Sequence, residues 1–551
     1  MSGTKTVVII GGVAGGMSAA TRLRRLDAHA QIIVLERSGH VSYANCGLPY
    51  YVGGVIQEES SLLLQTPESL HRRFRLDVRV RNEATNIDAN AKRVTVINHE
   101  TDEQYVLEYD VLVLSPGATA VIPPIPGIER GLPLRNVEDV ERMALEVART
   151  PRSAVIIGGG FIGVEIAENL QRRGIPTTIV EAMPQVLAPL DPEMAQLVAD
   201  ELASNKISLR LGVAIALVHS DSVELDTGEC IDAELLIVAV GVRPETGLAR
   251  DAGLTIGPRG GIVVDEFNRT TDPLIYAIGD AAEKVDALDG SATLVPLANI
   301  ANRQGRVVAD HIAGRVVRPV VTIGTAIVKV FDLTIATTGW NEKRLIADGR
   351  SVLAIHTHPS SHATYFPGAT SMALKLMVDA TSGAILGAQG VGADGVDKRI
   401  DVIATAMRGG LTAPELADLE LAYAPPFGSA KDPINMLGYI AENLLSGLEV
   451  TVQWNEVERL QVAGAQLVDV RTPTEFANGT IPGAINIPLD EIHHRLSEID
   501  DHGAIIICQA GVRGHTATRL LNEFGVAAKN LDGGYATWRH SPFANVLQPV
   551  G

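Results

Sequence analysis

The sequence predicts an α/β protein of several units: two Rossmann-like dinucleotide-binding domains, an α+β region, and a separate C-terminal α/β unit. Three observations carry this. A βαβ pattern with a glycine-rich turn opens the chain and returns near residue 154, an internal duplication of architecture. From about 325 to 445 the character changes to strands, loops and the proline-rich run Tyr423-Ala-Pro-Pro-Phe427. After a linker-like stretch around 446–452, LVDVR and AIIIC read as strands and HTATRLLNEFG as a helix. The 551 residues suit three or four domains.

Composition narrows the function. Lys plus Arg number 46 against 65 Asp plus Glu, a net charge of −19, which argues against nucleic-acid binding. No apolar run approaches the ~20 residues that span a bilayer, and KTVVIIGG has no signal-peptide layout, so no membrane role and a cytoplasmic setting are expected. Three cysteines, Cys46, Cys230 and Cys508, cannot form a disulfide framework. A cysteine with a task in a reducing compartment is catalytic more often than structural.

In chain order, residues 7–10 form the first short strand, a helix runs to about Leu26, and the strand 32–35 ends at Glu36. The turn between them is Gly11-Gly12-Val13-Ala14-Gly15-Gly16, with Val13 at the middle position of the glycine fingerprint. The second turn, Gly158-Gly-Gly160-Phe161-Ile162-Gly163, is a full G-x-G-x-x-G between strand 154–157 and a helix. Its glycines allow a tight turn, close approach of a pyrophosphate and close helix–strand packing, and the helix N-terminus offers free N–H groups. Glu181, at the end of the next strand, is placed to bind a ribose diol and to repel a 2′-phosphate, so NADH is expected over NADPH.

Cys46 lies in Ser42-Tyr-Ala-Asn45-Cys46-Gly-Leu-Pro-Tyr-Tyr51. Ser18, Arg22 and Arg25 share one face of the first helix, and Arg72, Arg73, Arg75, Arg79 and Arg81 crowd a second stretch. Concentrated arginine in an acidic protein points to an anionic ligand. Cys508 ends a strand and opens Cys508-Gln509-Ala510-Gly511-Val512-Arg513-Gly514, a turn whose N–H groups can point inward and stabilise a thiolate or persulfide. Cys230, in Thr227-Gly-Glu-Cys230, is expected as a structural thiol.

Over residues 5 to 445 the chain resembles the pyridine-nucleotide–disulfide oxidoreductases. The resemblance rests on the two turns, LVLSPGA (112–118), LIVAVGVRPET (236–246) and the strand ending Gly279-Asp280. It implies FAD in the first site, held by Gly11, Gly12, Ala14, Gly15, Gly16, Glu36, Arg37, Ser115, Gly279, Asp280 and Leu297. It implies NAD(P)H in the second, held by Gly158, Gly160, Phe161, Ile162, Gly163, Glu181 and Gly241. The implied domains are FAD-binding at 1–118 and 250–322, NAD(H)-binding at 150–249 and α+β dimerisation at 323–446, followed by a linker at 447–455. The two-cysteine members carry a partner thiol where this chain has Tyr51, so Cys46 must pair with sulfur or oxygen from outside. The segment HPSSHATYF (358–366) superficially resembles the family's His-Pro motif without its glutamate; its histidines are read as loop residues, and Tyr365 as the tyrosine near the sulfur.

Among single-cysteine members, peroxidases and oxidases carry a histidine at the position of Ala14. YANCGLPY and Ala422-Tyr-Ala-Pro-Pro-Phe-Gly-Ser-Ala-Lys431-Asp432 resemble instead the coenzyme A-disulfide reductases and NADH-dependent persulfide reductases. That implies coenzyme A contacts at Ser18, Arg22, Arg25, Ser42, Asn45, Arg73, Asn302 and Lys431, and a homodimer in which Tyr423 reaches the site from the partner subunit. The tail, 456–547, resembles single-domain rhodaneses, with Arg513 bracing the loop against a carboxylate such as Glu475. Catalytic roles therefore fall on Cys46, Cys508, Tyr365 and Tyr423, with no metal. The expected reaction is NADH-dependent reduction of coenzyme A persulfide, polysulfide or disulfide, with sulfur relayed from Cys508. An NADH oxidase or peroxidase with an accessory sulfurtransferase, or a sulfur-carrier and redox-sensing module, are the alternatives.

Overall fold

The computed structural model describes residues 4–500, 503–542 and 544; the last expected rhodanese positions, 545–547, lie outside the described residues. The chain divides into two units, residues 1–184 with 206–323 and residues 185–205 with 324–551.

The first unit carries the duplication. The strand Thr6–Ile10 lies between Gln31–Glu36 and Val111–Leu114, and Asp77–Val80 and Ile275–Ala277 extend the sheet outward, all parallel. The inner strands are buried aliphatic runs, as a sheet covered on both faces requires, while the edge strand Asp77–Val80 is only partly buried. The helix Ala14–Leu26 packs along Ala298–Ile312 on one side, with Val7, Ile9, Met17, Leu23 and Val308 in a common core. A second parallel sheet repeats the plan in the order Ser208–Leu211, Thr177–Glu181, Ala154–Ile157, Leu235–Val238, Leu132–Pro133. Two parallel strands with a helix between them place the end of the first strand at the helix N-terminus, where nucleotides bind.

The second unit holds a five-stranded antiparallel sheet, Ala326–Val330, Leu333–Gly339, Ile385–Gly392, Met372–Asp379 and Val352–Thr357. The helices Val396–Gly409 and Pro433–Leu445 bury their apolar faces with residues of this sheet, giving the expected α+β layer. The C-terminal sheet is parallel, in the order Thr451–Val452, Ala528–Leu531, Ala504–Ile507, Gln466–Asp469, Ile485–Asn486.

Two departures from the sequence reading have physical causes. The helix Pro192–Ser204 falls inside the range expected for the NAD(H) domain yet belongs to the second unit. Its first turn is tied there: Gln389 Nε2 donates to Asp191 Oδ2 at 2.6 Å, and Lys375 Nζ donates to Glu193 Oε1 at 2.6 Å. Residues 451–452, expected as linker, pair in the C-terminal sheet, and Gln453 Nε2 donates to the carbonyl of Ala354 at 3.0 Å. Among the described residues no helix is long and apolar enough to cross a membrane.

Candidate active sites

The two glycine turns are built alike. Gly11 and Gly158 have φ of 100° and 105°, a conformation that favours glycine. A Cβ on Gly16 would lie 1.9 Å from the carbonyl oxygen of Gly11, and one on Gly163 would lie 2.0 Å from that of Gly158. These are the close approaches of helix to strand that the fingerprint serves. In both turns the acid at the end of the next strand holds the loop: Gly12 N–H donates to Glu36 Oε2 at 2.8 Å, and Gly159 N–H to Glu181 Oε2 at 2.7 Å. Burial raises the Glu36 pKa, and N–H donors from Ser38 and Gly12 oppose it. Phe161 and Ile162 open the second helix, and no atom lies within 4 Å of a Cβ placed on Gly160 or Gly241, leaving space at the turn.

The first turn has the features a flavin dinucleotide needs. A cavity beside it is lined by Ile10, Gly11, Glu36, Arg37, Pro116 and Glu245. Ser115 lies against Gly15, Gly279 has φ 72°, and Asp280 stands at the end of the strand Ile275–Ala277. Ala14 begins the helix Ala14–Leu26, and Leu297 caps Ala298–Ile312. The residues present therefore fit the dinucleotide.

Cys46 is exposed, on a short turn Asn45–Gly47. Ser42, at φ 49°, donates its N–H to the carbonyl of Gly12 at 2.8 Å, fastening the cysteine segment to the first glycine turn. Although the residue opens to solvent, crowding around the sulfur raises its pKa by desolvation; Glu165 and Asp280 add to this, and Arg135 opposes it. Arg135 is a residue the sequence reading missed. Its guanidinium donates to Asp280 Oδ2 at 2.8 Å and to the Asn45 side-chain oxygen at 3.1 Å, while the Asn45 amide donates back to the Arg135 carbonyl at 2.8 Å. Tyr50 and Glu165 were also missed: Tyr50 Oη donates to Glu165 Oε1 at 3.2 Å, and burial pushes the Glu165 carboxyl up to about 7. Tyr50 stands inside the cysteine motif and Glu165 two residues past the second glycine turn, but a pair separated by 115 positions leaves no local pattern.

Of the expected coenzyme A residues, the structure brings Ser18, Arg22 and Asn302 together. Ser18 Oγ donates to Asn302 Oδ1 at 2.8 Å, and Arg22 pairs with Asp310 at 2.6 Å. Arg306 and Arg315 face the same Asp310 at 3.7 and 3.5 Å. Arg25, Arg73 and Lys431 are exposed. Of the other crowded arginines, Arg79 pairs with Asp77 and Arg81 with Glu100. In the second unit Tyr365 and Tyr423 are exposed and joined Oη to Oη at 2.8 Å. Asp432 accepts from the buried Arg399 and caps Pro433–Leu445, which fixes the end of the proline-rich run. His358 is a loop residue as expected; burial lowers it to about 3, and Nε2 bonds Thr537 Oγ1 at 2.8 Å. Cys230 stands exposed on the strand Cys230–Asp232, so the structural thiol expected from the sequence is corrected to a surface one.

Cys508 is buried at the end of Ala504–Ile507. Gly511 N–H donates to its Sγ at 3.1 Å, and Val512–Glu523 starts at the next residue. Tyr535 and Ala536 N–H donate to the carbonyls of Cys508 and Gln509, and Gly534 sits so close that a Cβ would lie 2.4 Å from the Cys508 oxygen and 2.9 Å from Ala510 N. Arg513 holds Glu475 through two bonds of 2.8 and 2.6 Å, and with Thr472 lowers that carboxyl to about 2. Arg471, buried and paired with Asp469, bonds Gln509 Oε1 at 3.2 Å.

The class this defines is a reductase with two dinucleotide sites, one unpaired thiol fastened to the first, and a second thiol that accepts a loop N–H at a helix start. Residues 5–305 match the pyridine nucleotide-disulphide oxidoreductases, 325–432 the dimerisation domain of that family, and 453–541 the rhodanese-like domain. A coenzyme A disulfide reductase of Staphylococcus aureus (strain JH9) is 35% identical over 440 residues, 79% of this chain and 99% of the relative. The crystal structure of reduced Bacillus anthracis CoADR-RHD is 48% identical with a TM-score of 0.96, covering 98% of each chain. A NAD-dependent persulfide reductase from A. fulgidus is 36% identical with a TM-score of 0.92, covering 97% of this chain and 100% of that one. The chain belongs to the pyridine nucleotide-disulphide oxidoreductases, in the single-cysteine branch of coenzyme A-disulfide and persulfide reductases fused to a rhodanese domain.

Proposed function

We propose that the protein is an NADH-dependent flavoprotein reductase of coenzyme A persulfide, polysulfide and coenzyme A disulfide, to which Cys508 relays sulfane sulfur. The observation that carries this is Cys46: a thiol fastened by Ser42 to the first dinucleotide turn, with Tyr51 where a partner thiol would stand. Relatives named for coenzyme A disulfide and persulfide reduction match over the same span.

Cys46 thiolate attacks the outer sulfur of the substrate. A bond from Cys46 to that sulfur forms, the substrate S–S bond breaks, and coenzyme A leaves as thiolate with the electron pair. FAD and NADH, when bound, supply the two electrons that return the Cys46 persulfide or mixed disulfide to thiolate. Arg135 supports the thiolate against Glu165 and Asp280. Glu165, near neutrality and bonded to Tyr50, holds or releases a proton beside the departing thiol. Arg22, Arg25, Arg73 and Lys431 are the cations for the coenzyme A phosphates. Tyr423, joined to Tyr365, serves a homodimer, a reading supported by the dimerisation-domain match, and the compartment of the reading is the cytoplasm.

Cys46→Ser tests the core of the reading. The variant should still bind FAD and bleach it with NADH under argon, yet turn over no sulfur substrate. Persulfide reduction at the wild-type rate would overturn it.

A further inference from the structure

Glu449 lies outside the residues that match the rhodanese family, in the stretch expected to be linker. It is nevertheless only 4% exposed. Its two carboxylate oxygens meet Asn530 and His515, both of which bond the Cys508 loop. Asn530 Nδ2 donates to Oε1 at 2.8 Å. His515 Nδ1 lies 2.8 Å from Oε2, an ion-pair distance although out of line for a hydrogen bond. A buried carboxylate persists only where such partners satisfy it.

The same two residues clasp one loop carbonyl. Asn530 Nδ2 donates to the oxygen of Gly511 at 3.0 Å, and the backbone N–H of His515 donates to it at 2.8 Å. Gly511 in turn aims its own N–H at Cys508 Sγ, 3.1 Å away. With φ at 91°, Gly511 is in a region glycine enters freely, so no side chain of its own fixes the loop there: the Ala510–Gly511 peptide is held by its bond to Cys508 Sγ and the Gly511–Val512 peptide by the bonds to its carbonyl. The amide of Asn530 has two hydrogens and spends one on Glu449 and one on Gly511. Without an acceptor at 449 that buried amide loses one of its two partners, and the Gly511 carbonyl alone is left to orient it.

We propose that Glu449 is a positioning residue of the sulfurtransferase site: through Asn530 and His515 it fixes Gly511, and thereby the N–H donor on the Cys508 sulfur. This deepens the sulfur-relay reading and rests on it for the choice of sulfur donor. In the loading step Cys508 thiolate attacks the outer sulfur of thiosulfate. The new S–S bond forms on Cys508, the thiosulfate S–S bond breaks, and sulfite leaves with the electron pair. The Gly511 N–H stabilises the attacking thiolate before that step.

The test uses the full chain with thiosulfate as probe. Cys508 persulfide formation is followed by mass spectrometry, and alkylation of Cys508 by iodoacetamide is followed by peptide mapping. Glu449→Ala should slow persulfide formation about tenfold through its maximal rate and not through half-saturation, the size expected from one misplaced hydrogen bond to a charged group. Glu449→Gln, whose amide oxygen can still accept from Asn530, should restore the rate to within about threefold of wild type. Both variants should reduce coenzyme A disulfide with NADH as the wild type does. Loading by Glu449→Ala at the wild-type rate would overturn the proposal, and so would equal loss in both variants. Loss of coenzyme A disulfide reduction in Glu449→Ala would also overturn it, by showing a merely structural role. If the wild type takes no sulfur from thiosulfate, the relay reading fails on its own. The alkylation rate then decides the positioning claim: a changed rate in Glu449→Ala with recovery in Glu449→Gln supports it, and identical rates in all three proteins overturn it.

Discussion

Replacing His356 by glutamine should remove a pH dependence from the second unit. His356 is buried with a carboxylate at each ring nitrogen: Asp532 Oδ2 is 2.6 Å from Nδ1, and Glu193 Oε1 is 3.0 Å from Nε2. A neutral imidazole donates from one nitrogen only, so this setting favours the imidazolium. Burial lowers the pKa, but Asp532 and Glu193 outweigh it and push it up to about 9. The folded value lies above the ordinary 6.5. The stabilisation is therefore fully present below about 6.5 and is lost as pH rises through about 9. Across about 2.5 pH units, at about 1.36 kcal/mol each, it amounts to ~3 kcal/mol. Glu193 and Lys375 are held in their charged forms against burial: Lys375 and His356 hold the Glu193 carboxylate down, and Glu193, Asp191 and Glu342 hold the Lys375 ammonium up. Urea unfolding can be read in this unit alone, because the three tryptophans, Trp340, Trp454 and Trp538, all belong to it. Wild type should lose ~3 kcal/mol more than His356→Gln between pH 6 and pH 9. Equal losses would show a neutral histidine and refute the reasoning.

Two further outcomes concern function. Glu181 accepts from Gly159 and Met183 N–H, which fixes its side chain at the second turn; NADH should be preferred to NADPH by about tenfold or more in kcat/KM, and Glu181→Ala should narrow that ratio at some cost in NADH binding. Cys508→Ser should abolish sulfur transfer from thiosulfate and slow bulky sulfane-sulfur donors, while coenzyme A disulfide, which carries no sulfane sulfur, should be reduced at the wild-type rate by NADH consumption.

What the sequence made legible were features whose cause is local. Gly158 to Gly163 declares a tight turn because no other residue tolerates those approaches, and Glu181 sits at a distance set by one helix and one strand. Cys508 and Arg513 were readable for the same reason, since a strand, a short turn and a helix place them. Arg135 was not, because its partner Asp280 lies 145 positions away and nothing around Leu134-Arg135-Asn136 marks it. The three carboxylates of Asp191, Glu193 and Glu342 would pass for a cation site by proximity; in the fold the ammonium of Lys375 lies 3.0, 2.6 and 2.6 Å from them. The linker misled because a two-residue strand carries no periodicity, and the buried Glu449 looks like any other surface acid in sequence.

The tie between His356 and Asp532 changes what it means to excise the C-terminal module. A gene cut at the family boundaries, 453 and 541, would lose Thr451 and Val452 from the sheet edge and Glu449 from behind the loop. It would also strip Asp532 of its cation one residue before the glycine pair that supports the Cys508 backbone. Such a fragment would retain Cys508 and its loop sequence and still hold them in a different setting. The transplantable piece runs from about Glu449 and must bring an imidazolium, or leave behind the aspartate that calls for one.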